Sequence, residues 1–139
     1  MPYPFATMEF KIGLTRTGAL DAEATRRQAE QSGYTTFMLP EKGIVDRVSF
    51  FEAVRTTLPL DPPLVGSRSW DALSDSLWEG LYSHPARRIV ILWLGTRGMA
   101  NSAPADFEMA LNVLADVANS LVDPQATREK PKEIAVLIE

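Results

Sequence analysis

Hydrophobic positions along the chain switch between two periods, and the switches mark out its elements. Phe10, Ile12 and Leu14 alternate with Glu9, Lys11 and Gly13, the period-two signature of a short strand. A run rich in Ala, Glu, Arg and Gln from about Asp21 to Gln31 predicts a helix that Gly33 ends; its apolar stripe is thin, which suits a surface helix. Tyr34 to Leu39 gathers aromatic and β-branched residues and closes at Pro40, as a strand does. Asp46 is placed to cap a helix in which Val48, Phe51, Val54 and Leu58 fall on one face, with Pro59 as its stop. Leu60 to Ser69 holds Pro62, Pro63 and Gly66 and predicts a loop. Trp70, Leu73, Leu77 and Leu81 then give the inward stripe of a helix over residues 70–81.

The second half of the chain is more strongly apolar. Ile89 to Leu94 is an unbroken apolar run, expected of a central strand covered on both faces. After a Gly-rich loop, Phe107, Ala110, Leu111, Leu114, Val117, Ala118 and Leu121 recur at helical spacing within Asp106 to Val122, and Ile134 to Ile138 supplies a last strand. Strands separated by helices imply parallel pairing with right-handed crossovers, an α/β fold. No internal repeat is evident, and 139 residues suffice for one core.

Composition narrows the chemistry. The chain has no cysteine, which excludes disulfides, thiolate nucleophiles and cysteine-ligated zinc and fits a reducing, cytoplasmic compartment. No apolar run approaches the ~20 residues of a membrane span, and the start of the chain, MPYPFATMEFK, lacks the pattern of a secretory signal. Net charge is −4, which argues against direct nucleic-acid binding. The acids are also unevenly placed. Asp61, Asp71, Asp75 and Glu79 face only Arg68 within residues 61–80, and Asp106, Glu108, Asp116 and Asp123 face no Lys or Arg within 99–127. Two acidic stretches on an otherwise mildly basic chain suit a basic partner.

Asp71, Asp75 and Trp78, at i, i+4 and i+7, share one outward stripe of the 70–81 helix, with Glu79 on its edge. Glu108, Asn112, Asp116 and Asn119 form a second polar stripe on the later helix. Plainer explanations stand beside these. An acid at Asp71 is favoured by the helix dipole whatever its function, and Glu108, Asn112 and Asp116 also fit a solvated helix face. Trp70 and Trp93 belong with the core, while Trp78 fits either core or contact. His84, the one histidine, precedes Pro85 in a loop and has no Ser or Asp companion for catalysis. The Gly95-Thr-Arg-Gly98 loop lacks the Gly-Lys-Ser/Thr ending of a phosphate loop.

The run Gly66-Ser-Arg-Ser-Trp-Asp-Ala-Leu-Ser-Asp-Ser-Leu77 resembles the signature of the barstar family, a glycine followed by Trp-Asp-Ala-Leu, then Asp and Leu. The flanks agree in order: a strand, a helix with the pair Phe50-Phe51, Leu-Pro-Leu at 58–60, the signature, an apolar strand with Trp93, a long helix and a final strand. The resemblance covers residues 34–139 and leaves 1–33 as an N-terminal strand and helix extension. It implies a three-stranded parallel sheet packed with helices, no enzymatic activity, no cofactor and no metal. It also implies inhibition of a bacterial ribonuclease, bound 1:1, as an immunity protein does. In that family the acid matching Asp75 enters the nuclease site where a substrate phosphate would sit, the acid matching Asp71 assists, and the acid matching Asp116 contacts basic groups at the rim.

The chain departs from the family pattern at the contact face. Ser69 replaces the usual Asn before the tryptophan, and Gly66 stands one residue further from it. Leu64 and Val65 align with a tyrosine pair, Ser74 replaces a bulky aromatic, and Trp78 replaces a small polar residue. The partner-binding set carried by the resemblance is therefore Leu64, Val65, Asp71, Ser74, Asp75, Trp78 and Asp116. The scaffold is kept while the face is recut, which leaves open a second reading: the same fold directed at a non-ribonuclease toxin or another protein partner.

Overall fold

The computed structural model describes residues 9–139. Residues 1–8, on which the expectation of no secretory signal chiefly rests, lie outside the described residues. The elements follow in the order β1 (Gly13–Arg16), α1 (Ala22–Gln31), β2 (Thr35–Met38), α2 (Arg47–Thr57), α3 (Trp70–Ser83), β3 (Arg88–Trp93), α4 (Arg97–Ser102), α5 (Pro104–Leu121) and β4 (Glu133–Ile138). The four strands form one sheet in the order β1-β4-β3-β2, and every pairing is parallel. This is the expected α/β architecture. The three strands β2, β3 and β4 make the family-like sheet, and β1 from the N-terminal extension adds a fourth at its edge.

Alternation along β3 and β4 divides the core between the two faces of the sheet. Ile89, Ile91 and Trp93 with Ile134, Val136 and Ile138 point into the larger cluster, formed with α2, α3 and α5. Val90, Leu92, Ala135 and Leu137 point the other way, onto Ala29 of α1 and Tyr34. An apolar run without polar alternation is what a strand buried on both faces requires. Phe50, Trp93, Phe107, Phe51 and Trp70 pack in a chain of ring contacts on the larger side, with centroids 5.0 Å apart for Phe50–Trp93 and Phe51–Trp70 and 5.5 Å for Trp93–Phe107.

Three local expectations are corrected. The first strand begins at Gly13 and not near Phe10. Phe10 instead packs edge-on against Tyr34, at 5.1 Å, and its N–H donates to the Tyr34 hydroxyl. Val48 is 61% exposed, because the buried arc of α2 is centred on Phe50, Phe51 and Val54, about 120° around the helix from Val48. Residues 97–102 form the short helix α4 where a Gly-rich loop is expected, with Met99 fully buried. Gly98 is tolerated there because it lies against the Ile44 carbonyl, where a Cβ would stand 3.2 Å from the oxygen.

Candidate functional site: the acidic face of α3 and α5

Helix α3 is fixed at both ends and along one side. Ser69 adopts extended backbone at the N-cap, and its side chain accepts the Ala72 N–H at 3.0 Å. Serine and asparagine cap about equally well, so the departure from the usual Asn leaves the helix start intact. Leu73, Leu77 and Leu81 are at most 1% exposed. Gly80 is required by close approach: a Cβ there would lie 2.1 Å from the Pro59 carbonyl oxygen. The preceding loop is held by Arg55, which donates to the Gly66 carbonyl at 2.9 Å and to Ser67 Oγ at 3.2 Å, and by the Asp61 N–H, which donates to the Ser76 carbonyl.

Two side-chain contacts tie α3 to α5 and to the segment that follows it. Trp78 Nε1 donates to Ser120 Oγ at 2.9 Å, and one turn later the Tyr82 hydroxyl donates to the Thr127 carbonyl at 2.8 Å. α3 leads into β3 and α5 into β4, and these strands are parallel, so the helices run side by side in the same direction. One turn before the Trp78–Ser120 bond lie Asp75 on α3 and Asp116 on α5. Both are exposed. Asp71, one turn before Asp75, is exposed as well, and Ser74 beside it is half-buried. Asp75 and Asp116, far apart in the chain, thus each lie one turn before the contact that joins the two helices.

Among the described residues, no ion pair or side-chain hydrogen bond engages Asp71, Asp75, Glu79 or Asp116. The carboxylates in ion pairs lie elsewhere, as with Glu52 and Arg55 on α2 or Glu23 and Arg26 on α1. Like charges one turn apart raise each other's energy slightly. The face therefore carries negative charge that no ion pair among the described residues takes up.

The remaining contact candidates divide. Val65 is 92% exposed, at the tip of the loop that leads into α3, whereas Leu64 is half-buried and packs against the larger core. Trp78 does not stand out with Asp71 and Asp75. It turns toward α5, half-buried, bonded to Ser120 and stacked on Tyr82 with centroids 5.0 Å apart. A helical wheel puts Trp78 on the stripe, but its long side chain reaches the neighbouring helix; Ser120 supplied no sequence signal for that bond. Glu108, Asn112 and Asn119 are exposed on α5. Among the described residues no group of His, Cys, Asp and Glu is arranged to hold a metal, and no helix is long and apolar enough to cross a membrane.

His84 is a structural residue. Its Nδ1 accepts the Ala86 N–H at 3.0 Å, and its ring meets Phe37 edge-on at 5.6 Å. Burial and, to a lesser degree, the nearby Lys132 ammonium lower its pKa below the ordinary 6.5.

The parallel sheet lined by helices, with exposed carboxylates on two adjacent helices, defines a domain of α/β class. The family described as Barstar (barnase inhibitor) matches residues 34–139, and the chain belongs to the barstar family. Comparisons with curated proteins and with solved structures returned no match.

Proposed function

We propose that this chain is an inhibitor of the barstar kind, which blocks a ribonuclease by seating the acidic face of α3 and α5 in the enzyme's substrate-phosphate site. The observation that carries this reading is the set of exposed carboxylates, Asp71, Asp75 and Asp116, unpaired by any cation among the described residues. A site built for phosphate is lined with arginine and lysine, and a carboxylate accepts paired hydrogen bonds from an arginine fork. Asp75 acts as the phosphate mimic, Asp71 assists it, and Asp116 meets cations at the rim. Ser74 and Val65 border this centre, and the half-buried Leu64 and Trp78 hold its floor. The complex is 1:1, needs no cofactor, and forms in the bacterial cytoplasm without nucleic acid or membrane.

The direct test is inhibition of barnase in a ribonuclease assay, paralleled by capture of the chain's own partner from the source organism. Stoichiometric inhibition of either ribonuclease that is weakened by Asp75→Ala supports the reading. The exposed Val65, where the family has an aromatic pair, favours a partner whose rim differs from that of barnase. A captured partner without ribonuclease activity, bound through Asp75, would establish the second reading, a barstar-fold immunity or regulatory protein for another target.

A further inference from the structure

At the opposite end of the sheet from Asp71, the α3–β3 and α5–β4 connections border an open surface cavity of about 430 Å³, lined by Pro85, Arg87, Glu129, Lys130, Pro131 and Lys132. The two connections meet there because all strands are parallel, so every chain segment entering a strand arrives at the same end. Lys132 is only 8% exposed. Its ammonium donates to the His84 and Ala86 carbonyls, the latter at 2.7 Å, and an ammonium has a third proton to give. Among the described residues no carboxylate pairs with it.

A buried cation held by neutral carbonyls alone is unfavourable, and buried charges are ordinarily paired. Burial lowers the Lys132 pKa, as expected for an ammonium short of a counter-ion. Arg87 adds a further cation, with its side chain 71% exposed and paired with Glu133 at 3.7 Å. The lining sets three cations against the single carboxylate of Glu129, and with Arg87 paired to Glu133 one positive charge stays uncompensated, on a chain whose net charge is −4. Two prolines in the wall restrict how far it can relax.

We infer that this cavity is an anion site for a phosphate group, free or esterified, held by Arg87, Lys130 and the spare proton of Lys132. An arginine fork and two ammoniums supply the charge-assisted donors that the oxygens of a phosphate accept. The site is separate from the acidic face and carries the opposite sign.

The test is a titration of the full chain with inorganic phosphate, followed by amide and side-chain NMR, with sodium chloride at equal ionic strength as control. Saturable shifts confined to residues 84–88 and 129–133, with a dissociation constant of about 1 mM or tighter, are expected. Arg87→Ala and Lys130→Ala, both at exposed side chains, should each weaken binding about tenfold, the loss of one charge-assisted hydrogen bond. Lys132→Met risks the fold because it frees two carbonyls, so the exposed pair decides the matter. A phosphate monoester that binds more tightly than phosphate assigns the site to an esterified ligand, and equal affinity assigns it to the free ion. Shifts that chloride reproduces, or that survive Arg87→Ala and Lys130→Ala unchanged, would overturn the inference.

Discussion

Asp75 has no partner among the described residues to hold it, and that makes its contribution measurable as binding without a change in stability. Asp75→Ala should cost about 2 kcal/mol or more of binding energy, the class value for charged interface hot spots, to which the barnase–barstar pair itself belongs. Truncation would leave the partner's cationic site buried and unpaired, which costs more than a lost rim contact. Asp71→Ala and Asp116→Ala should weaken binding less and Glu79→Ala little, with melting temperatures near that of the parent; calorimetric titration and thermal unfolding of each variant check both halves. His84 gives the opposite case, a residue tied to stability. Its folded pKa is lowered, so the folded state resists protonation, and the stabilisation present above about 6.5 is lost as pH falls from there through the folded value. His84→Asn keeps an acceptor for the Ala86 N–H and removes the titration. Denaturant unfolding at a series of pH values should therefore show a slope below about pH 6.5 in the parent that is reduced in the variant. Equal slopes would assign the acid sensitivity to the carboxylates instead.

Among the elements, α3 and α5 act as one unit because Trp78 joins them. Trp78→Phe keeps most of the apolar contact with Tyr82 and deletes the hydrogen bond to Ser120. It should lower stability by about 1 kcal/mol, as for one half-buried neutral hydrogen bond, read as a lower urea midpoint at constant slope. Trp78→Ala should lower it further and loosen the placement of Asp75 relative to Asp116, so affinity falls with melting temperature. The sequence carried the element order apart from α4, the cap at Asp46 and the inward stripe Leu73-Leu77-Leu81, because each depends on neighbours close along the chain. It could not carry the alignment of Asp75 with Asp116, which depends on a tertiary contact between Trp78 and Ser120. The same limit explains Val48, whose period fits the helix while the buried arc is set by what lies across from Phe50 and Phe51. The anion cavity was equally hidden, since Arg87 and Lys132 are joined only by the meeting of two connections at one end of the sheet.

At the scale of the whole molecule, the N-terminal extension contributes an edge strand and a cover. β1 pairs with β4 over Gly13–Arg16, and α1 with Tyr34 shields Val90, Leu92, Ala135 and Leu137. Residues 34–139 retain the larger core, so deleting 1–33 should leave a cooperatively folding domain with a lower melting temperature. The uncovered second face should make it self-associate, seen as a rising sedimentation coefficient with concentration. A molten or insoluble product would mean that the extension is part of the folding unit. The charge distribution has a kinetic consequence of its own. Acids gather on the exposed side of α3 and α5, while Arg87, Lys130 and Lys132 lie away from them at the start of β3 and β4, so the α3–α5 face is the negative surface offered to an approaching basic enzyme. Such a field acts over about a Debye length, ~10 Å at 0.1 M salt, and accelerates encounter more than it holds the docked complex. Stopped-flow association with the ribonuclease should slow several-fold or more between roughly 10 mM and 150 mM ionic strength, while dissociation changes much less. Asp116→Asn should flatten the dependence of the association rate on salt, because it removes a rim charge that acts before contact. Asp75→Ala should act mainly on dissociation, because its carboxylate is fully engaged only once the two surfaces have closed. An association rate indifferent to salt would separate the two roles of the acids, leaving the mimicry of phosphate in place and removing the steering.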